Sequence, residues 1–289
     1  MRIALFGSTF QTDKKQYVQR ILSQLEQHDN SLIVEPTFHQ YLSGLGLDMR
    51  GHDVIDSDAF SADLAMSVGG DGTFLKTAAA VGRKDIPIVG INTGRLGFLA
   101  EVSPDDCTEA IDALHCHAYS LESRSVIQAV NSERPFSFSP FALNEVAVLK
   151  HDNSSLIDIR TEINGELLTH YLADGLIIST PTGSTGYSLS AGGPIIVPDT
   201  RTLCLSAVAP HSLYIRPVVL SDDVTLTLSV ESRSHNFLVA IDGRSESFST
   251  GTTVTVRRAP YTVKIVKIHH RKYFDTLRAK MMWGADQRV

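Results

Sequence analysis

Leu64-Ala-Met-Ser-Val68 runs straight into Gly69-Gly70-Asp71-Gly72-Thr73, and Thr73-Phe-Leu-Lys-Thr-Ala-Ala-Ala80 follows. The apolar run reads as a buried strand, the glycines as a tight turn, and the Ala-rich segment as a helix. Glycine takes backbone conformations closed to other residues and lets a ligand approach the main chain. A helix start offers free N–H groups and a partial positive charge to an anion. Asp71 is the one carboxylate in this bare turn. The pattern predicts a phosphate site beside a proton acceptor; an ordinary strand-to-helix turn is the competing reading. No G-x-x-x-x-G-K-[ST] occurs, so the chain is not a P-loop nucleoside triphosphatase, and no G-x-G-x-x-G occurs, which disfavours a dehydrogenase-type dinucleotide site.

Outward from that turn, strand and helix alternate. Arg2 to Phe6, Leu32 to Val34, Leu64 to Val68 and Ile86-Pro-Ile-Val-Gly-Ile91 read as successive strands. Tyr17, Val18, Ile21, Leu22 and Leu25 repeat at helical spacing, and Ser103-Pro104 opens a helix through Ala110, Ile111 and Leu114. Repeated β-then-α units predict a parallel sheet covered by helices. From about Tyr119 the period changes. Ser125 to Val130, Ile157 to Ile163, Val224 to Val230, Phe237 to Ile241, Thr252 to Val256 and Thr262 to Ile268 alternate or are β-branched. Asn164-Gly165 marks a hairpin between two such runs. The expected fold is an α/β N-terminal domain with a parallel, Rossmann-like sheet over residues 1–120, and a β-rich, sandwich-like domain over 121–269. A tail helix from Lys272 to Trp283, with Phe274, Leu277, Arg278 and Met281 on one face, returns to the first domain through residues 270–289.

The composition limits what such a fold can do. Of 289 residues, 43% are hydrophobic and 20% charged, enough for a substantial core. Lys and Arg number 26 against 32 Asp and Glu, a net charge of −6, which argues against nucleic acid or a membrane surface as partner. Cys107, Cys116 and Cys204 are an odd count without C-x-x-C spacing, which fits neither a disulfide framework nor a zinc site. A reducing, cytoplasmic location is expected.

Three further constellations carry chemistry. Gly90-Ile-Asn-Thr-Gly-Arg-Leu-Gly-Phe-Leu99 follows a strand end, where ligands of open α/β sheets sit, and Arg95 could pair with a phosphate. A solvated Arg95 in a glycine-rich loop is the equal alternative. The run from Asp174 to Pro194 leads a buried strand into a loop dense in glycine and hydroxyls, suited to a flat polar ligand. Asn144-Glu145 interrupts apolar Phe141 to Val148, which puts one polar side chain toward the core or both at a strand end. His269-His270 reads as a solvated pair.

Taken in order, these residues resemble the NAD kinase family. Gly69-Gly-Asp-Gly-Thr73 looks like its catalytic motif, and Asn92-Thr-Gly-Arg-Leu-Gly-Phe-Leu99 like its second motif. Asn144-Glu145 looks like its ribose-binding pair, and Thr180 to Ser188 like its substrate loop. Pro210 to Pro217 and Tyr273 to Arg278 are similar as well. The resemblance implies transfer of the ATP γ-phosphoryl group to the adenosine ribose 2′-hydroxyl of NAD. Asp71 is then the base, and Gly69, Gly70, Gly72, Thr73 and Arg95 meet the ATP phosphates. Mg²⁺ is expected with the ATP and no dedicated protein ligands. NAD contacts are implied for Asp71, Gly72, Lys76, Phe98, Asn144, Glu145, Asp174, Thr182, Thr185, Gly186, Tyr187, Ser188, Leu189, Ser190, Ala209 and Arg244. Gly186 stands where many relatives carry Ala, which is expected to loosen the loop. The resemblance also implies a homodimer or homotetramer. A lipid kinase sharing the glycine-Asp-glycine turn and a non-catalytic NAD sensor are the rival readings.

Overall fold

A computed structural model describes residues 1–9, 15–94, 97–152, 155–268 and 272–282. Arg95 and His269-His270 lie outside the described residues. The chain divides into two units, Met1–Ser123 with Val263–Val289, and Arg124–Thr262.

The first unit is built on five parallel strands, β1 (Arg2–Gly7), β2 (Ser31–Val34), β3 (Asp53–Val54), β4 (Leu64–Gly69) and β5 (Ile88–Asn92), in the order β5-β4-β1-β2-β3. Between them run α1 (Lys15–Gln27), α2 (Pro36–Gly44) and α3 (Asp71–Val81), with α4 (Cys107–His115) after β5. All six residues of β4 are buried, as a strand covered on both faces requires. Helix α1 buries Val18, Ile21, Leu22 and Leu25 of the positions its periodicity marks and leaves Tyr17 exposed. Helix α2 starts at Pro36, with Glu35 accepting a hydrogen bond from Phe38 N at 2.7 Å.

Three expectations for this unit need correction. A two-residue β3 precedes Leu64, so that strand is the fourth; the run Asp53-Val54 is too short and exposed to carry a pattern. The helix expected from Ser103-Pro104 begins at Cys107, because Ser103 Oγ donates to Asp106 Oδ2 (2.8 Å) and accepts from Asp106 N (3.2 Å), closing a turn first. The C-terminal helix, Tyr273–Met281, buries Thr276 and Leu277, whereas Phe274 is 53% exposed with its ring edge-on to Tyr273.

The second unit is antiparallel. Strand β6 (Tyr119–Asn131) carries the chain into it, and β7 (Phe141–Ala142), β8 (Glu145–Lys150), β9 (Ile157–Ile163), β10 (Glu166–Ala173) and β11 (Gly175–Ser179) follow. A short helix, α5 (Tyr187–Ser190), leads to β12 (Thr202–Val208), β13 (Val218–Ser221), β14 (Thr225–Glu231), β15 (Asn236–Ile241), β16 (Arg244–Ser249) and β17 (Thr253–Ile268). The closing helix Tyr273–Met281 is α6. One sheet runs β13-β12-β11-β8-β15-β16; in the other, β10, β9, β14 and β17 are successive neighbours. Val146, Val148, Leu176 and Leu203 of the first share one core with Ile159, Tyr171, Leu226 and Leu228 of the second, a sandwich. Strands β9, β14 and β15 alternate buried and half-exposed positions as the period of two demands. Asn164 and Gly165 turn the β9–β10 hairpin at φ 52° and 84°, both left-handed. The two runs after Thr252 are one strand: Arg257, Arg258 and Pro260 between them are exposed positions of β17, not a loop.

Candidate functional site

Each unit holds its own group of site residues. In the first, β4 ends at Gly69, Gly70 takes the N-cap position, and α3 begins at Asp71. Among the described residues no side chain caps this helix start, which leaves backbone N–H capacity there for a ligand. A Cβ on Gly70 or Gly72 would meet nothing within 4 Å, so packing does not account for these two glycines. In front of them lies a cavity of about 520 Å³ lined by Gly70, Gly72, Thr73 and Lys76, by Phe6 to Thr9 after β1, and by Glu35 and Thr37 after β2. It opens at the carboxyl ends of adjacent parallel strands, where open α/β sheets bind ligands.

Asp71 points away from that cavity lining. Its Oδ2 accepts from Phe98 N at 2.9 Å, and its Oδ1 from Leu99 N and Ala100 N at 3.0 and 3.1 Å. Lys280 of α6 reaches Oδ2 at 3.3 Å, with its Nζ 4.4 Å from the Phe98 ring centroid. A Cβ on Gly97 would stand 2.0 Å from Asp71 Oδ1, so only glycine lets this backbone wrap the carboxylate. The Gly69–Thr73 turn and the segment Asn92–Leu99 are thus tied together through one side chain. Phe98 is placed beside Asp71; Lys280 was not legible, since nothing in sequence links position 280 to position 71.

In the second unit, Asn144 and Glu145 sit at the start of β8. Asn144 Oδ1 and Glu145 Oε2 are buried with no hydrogen-bond partner among the described residues. The loop after β11 wraps them: Thr180 N donates to Asn144 O (2.9 Å) and Thr180 Oγ1 to Leu143 O (2.6 Å). A Cβ on Gly186 would come within 3.2 Å of Glu145 Oε2 and 3.4 Å of Asn144 Nδ2. Glycine at 186 therefore relieves crowding against the Asn-Glu pair; a methyl group there would press on it. Thr182 is buried beside Arg124 Nη1 (3.4 Å), and Thr185 Oγ1 bonds back to Thr182 O (3.4 Å). Tyr187 and Ser190 are exposed and Leu189 is half-buried. Ser188 turns inward, its hydroxyl buried 3.0 Å from Ser206 Oγ, which leaves any ligand contact to its backbone.

Asp242 holds this arrangement. Its carboxylate accepts from the consecutive amides of Leu143, Asn144 and Glu145 at 2.7, 2.9 and 3.1 Å. It stands at φ 47°, before Gly243 at φ 80°, in the β15–β16 hairpin. Asp242-Gly243 between two alternating runs is a readable hairpin signal; its grip on residues a hundred positions earlier is not. Burial pushes the Glu145 carboxyl up to about 7, the Asp242 charge adds to this, and a hydrogen bond from the Tyr187 amide opposes it. Asp242 is also raised by burial, against its three amide bonds and Arg244. Arg244 starts β16, 5.2 Å from the Phe138 ring centroid, and burial lowers its pKa.

Two further expected members stand at the other end of β8. In the antiparallel register Glu145 faces Ser179 and Leu149 faces Gly175, so Asp174 is at the far end of β8, about 17 Å along the strand from Glu145. There it pairs with Lys150 Nζ at 2.7 Å and donates its N–H to Val208 O, next to Ala209 at φ 45°. Asp174 and Ala209 form a group of their own at that end of the strand. Among the described residues, no cluster of three or more His, Cys, Asp or Glu could hold a metal ion. Cys107, Cys116 and Cys204 are free thiols. No helix among the described residues is long and apolar enough to cross a membrane.

Residues 9–119 match the ATP-NAD kinase N-terminal domain, and 143–268 the ATP-NAD kinase C-terminal domain. NAD kinase of Bacteroides fragilis (strain YCH46) is 54% identical over 290 residues, covering 100% of both chains. NAD kinase of Cytophaga hutchinsonii is 38% identical, again over 100% of both. Yeast NADH kinase, crystallised with NADH, shares the fold with a TM-score of 0.88 at 20% identity, over 100% of this chain and 89% of that one. An NAD kinase from Archaeoglobus fulgidus in complex with ATP aligns with a TM-score of 0.75 at 28% identity, over 98% and 99%. With both of its domains matched in order and relatives alike from end to end, the chain belongs to the NAD kinase family.

Proposed function

We propose that this chain moves the γ-phosphoryl group of ATP onto the 2′-hydroxyl of the adenosine ribose of NAD, releasing ADP and NADP. The observation that carries the reading is the uncapped start of α3 at Gly70-Asp71-Gly72, opening on a cavity at the carboxyl edge of a parallel sheet. Phosphoryl transfer asks the protein for positioning and charge neutralisation more than for covalent chemistry. Gly70, Gly72, Thr73 and Lys76 supply N–H groups, a hydroxyl and an ammonium to the donor phosphates.

Asp71 takes the proton of the 2′-hydroxyl. Three amides and Lys280 occupy its carboxylate, and Lys280 at 3.3 Å is the longest of the four contacts. The acceptor hydroxyl takes the place of that ammonium, while the three amides keep the carboxylate aimed. Asn144 Oδ1 and Glu145, with buried oxygens lacking partners among the described residues, accept hydrogen bonds from NAD hydroxyls. Mg²⁺, if bound with ATP, would supply charge neutralisation to the phosphates beside Gly70, Gly72, Thr73 and Lys76. A homodimer or homotetramer is the assembly inferred from family resemblance, and the cysteine usage points to a cytoplasmic location.

The test is NADP formation from NAD, ATP and Mg²⁺, run beside Asp71→Asn. A base contributes roughly 10²- to 10⁴-fold. The variant should lose turnover on that scale while calorimetry still detects NAD binding. A folded wild type that binds NAD but makes no NADP from ATP overturns the proposal.

A further inference from the structure

The cavity of the first unit extends well beyond its glycine turn. Its lining runs from Gly70, Gly72 and Lys76 after β4, past the end of β1, to Glu35 and Thr37 after β2. Strands β4, β1 and β2 are consecutive neighbours, so its two ends stand about two strand spacings, or roughly 10 Å, apart. At about 520 Å³ it lies within the usual size of a small-molecule site, roughly 300 to 1,000 Å³.

The two ends differ in charge. The β4 end offers N–H groups and an ammonium, which suit phosphate. The β2 end offers a carboxylate, which repels phosphate and accepts hydrogen bonds from hydroxyls. Glu35 Oε2 is engaged by Phe38 N at 2.7 Å. An ionised carboxylate has about four acceptor positions, so most of its capacity remains for a ligand. The half-buried side chain is held in place by that same capping bond. Glu35 stands directly after β2, beside β1.

We propose that the β2 end of this cavity receives the ribose of the phosphoryl donor, with Glu35 accepting hydrogen bonds from its hydroxyls and Thr37 beside it. This rests on the kinase reading above and adds a donor preference to it. A nucleoside triphosphate gains these bonds; inorganic polyphosphate has no hydroxyl to give and meets only a repelling carboxylate.

The experiment is calorimetric titration of ATP, 2′,3′-dideoxy-ATP and tripolyphosphate, each with Mg²⁺, into the full chain and into Glu35→Gln. The glutamine keeps an oxygen for Phe38 N, and a thermal melt checks that α2 is intact. The wild type should bind ATP about tenfold tighter than dideoxy-ATP, the worth of a charge-assisted hydrogen bond. Glu35→Gln should lose about tenfold for ATP, nothing for dideoxy-ATP, and should bind tripolyphosphate at least as tightly as the wild type. Equal wild-type affinity for ATP and dideoxy-ATP overturns the proposal, as does an equal loss for both in the variant. NADP formation is scored separately: if it stands while this selectivity is absent, only the ribose assignment falls.

Discussion

Glu145 is a carboxyl group that the fold keeps out of water beside a second acid, Asp242. A folded-state pKa raised from 4.5 to about 7 means that the fold prefers the neutral form. Stability from this group is full below pH 4.5 and is lost as the pH rises through about 7. The loss amounts to about 3 kcal/mol. Urea denaturation at pH 5 and pH 8 should show the wild type falling by that order, with Glu145→Gln losing clearly less over the same interval. Equal losses in the two proteins would place the charge in water and refute the burial argument. The Asn144-Glu145 motif was visible as polar residues in an apolar strand. That Glu145 titrates near neutrality was not, because its causes are burial, first, and then the charge of Asp242, which a hairpin about a hundred positions later brings beside it.

At the level of elements, two carboxylates do similar work. Asp71 gathers the amides of Phe98, Leu99 and Ala100, joining the start of α3 to the segment after β5. Asp242 gathers the amides of Leu143, Asn144 and Glu145, joining the β15–β16 turn to the start of β8. Each holds three consecutive backbone amides with one carboxylate. Asp242→Asn replaces one accepting oxygen by a donor and leaves a buried amide unsatisfied, which costs about 1–3 kcal/mol. We expect its denaturation midpoint to fall accordingly and its Kd for NAD to rise, with Kd for ATP unchanged. An unchanged NAD affinity would show that Asp242 supports the hairpin alone. Element type and order follow from hydrophobic period, which is local. The late start of α4 and the exposed Phe274 of α6 were missed because a side-chain turn and the choice of buried face are decided by neighbours.

For the whole molecule, the first unit is discontinuous: it needs Met1–Ser123 and also Val263–Val289. From the later segment Val263, Ile265, Val266, Ile268 and Leu277 are buried, and Lys267 pairs with Glu101. Each fully buried aliphatic side chain is worth about 1.5–3 kcal/mol, and ordinary domains have only about 5–15 kcal/mol in total. A chain ending at Thr262 should therefore lose the cooperative unfolding of its first unit and become protease-sensitive there. The second unit, whose core lies within Arg124–Thr262, should keep its β-rich circular dichroism. A first unit that still melts cooperatively without its last segment would contradict this.

The sequence by itself determined the alternation of strand and helix, the change to period two near Tyr119, the Asn164-Gly165 hairpin and the strand–turn–helix at Gly69–Thr73. Each depends on residues within about a dozen positions of one another, where propensity, period and turn chemistry act directly. Only the tertiary structure decided that Asp71 is clasped by the second motif and Lys280, that Asp242 pins the Asn-Glu pair, and that Asp174 stands at the opposite end of β8. It also brought Glu35 into the cavity of the glycine turn. These are contacts between residues far apart in the chain. They are fixed by strand order and register, which the hydrophobic pattern of any one segment does not encode.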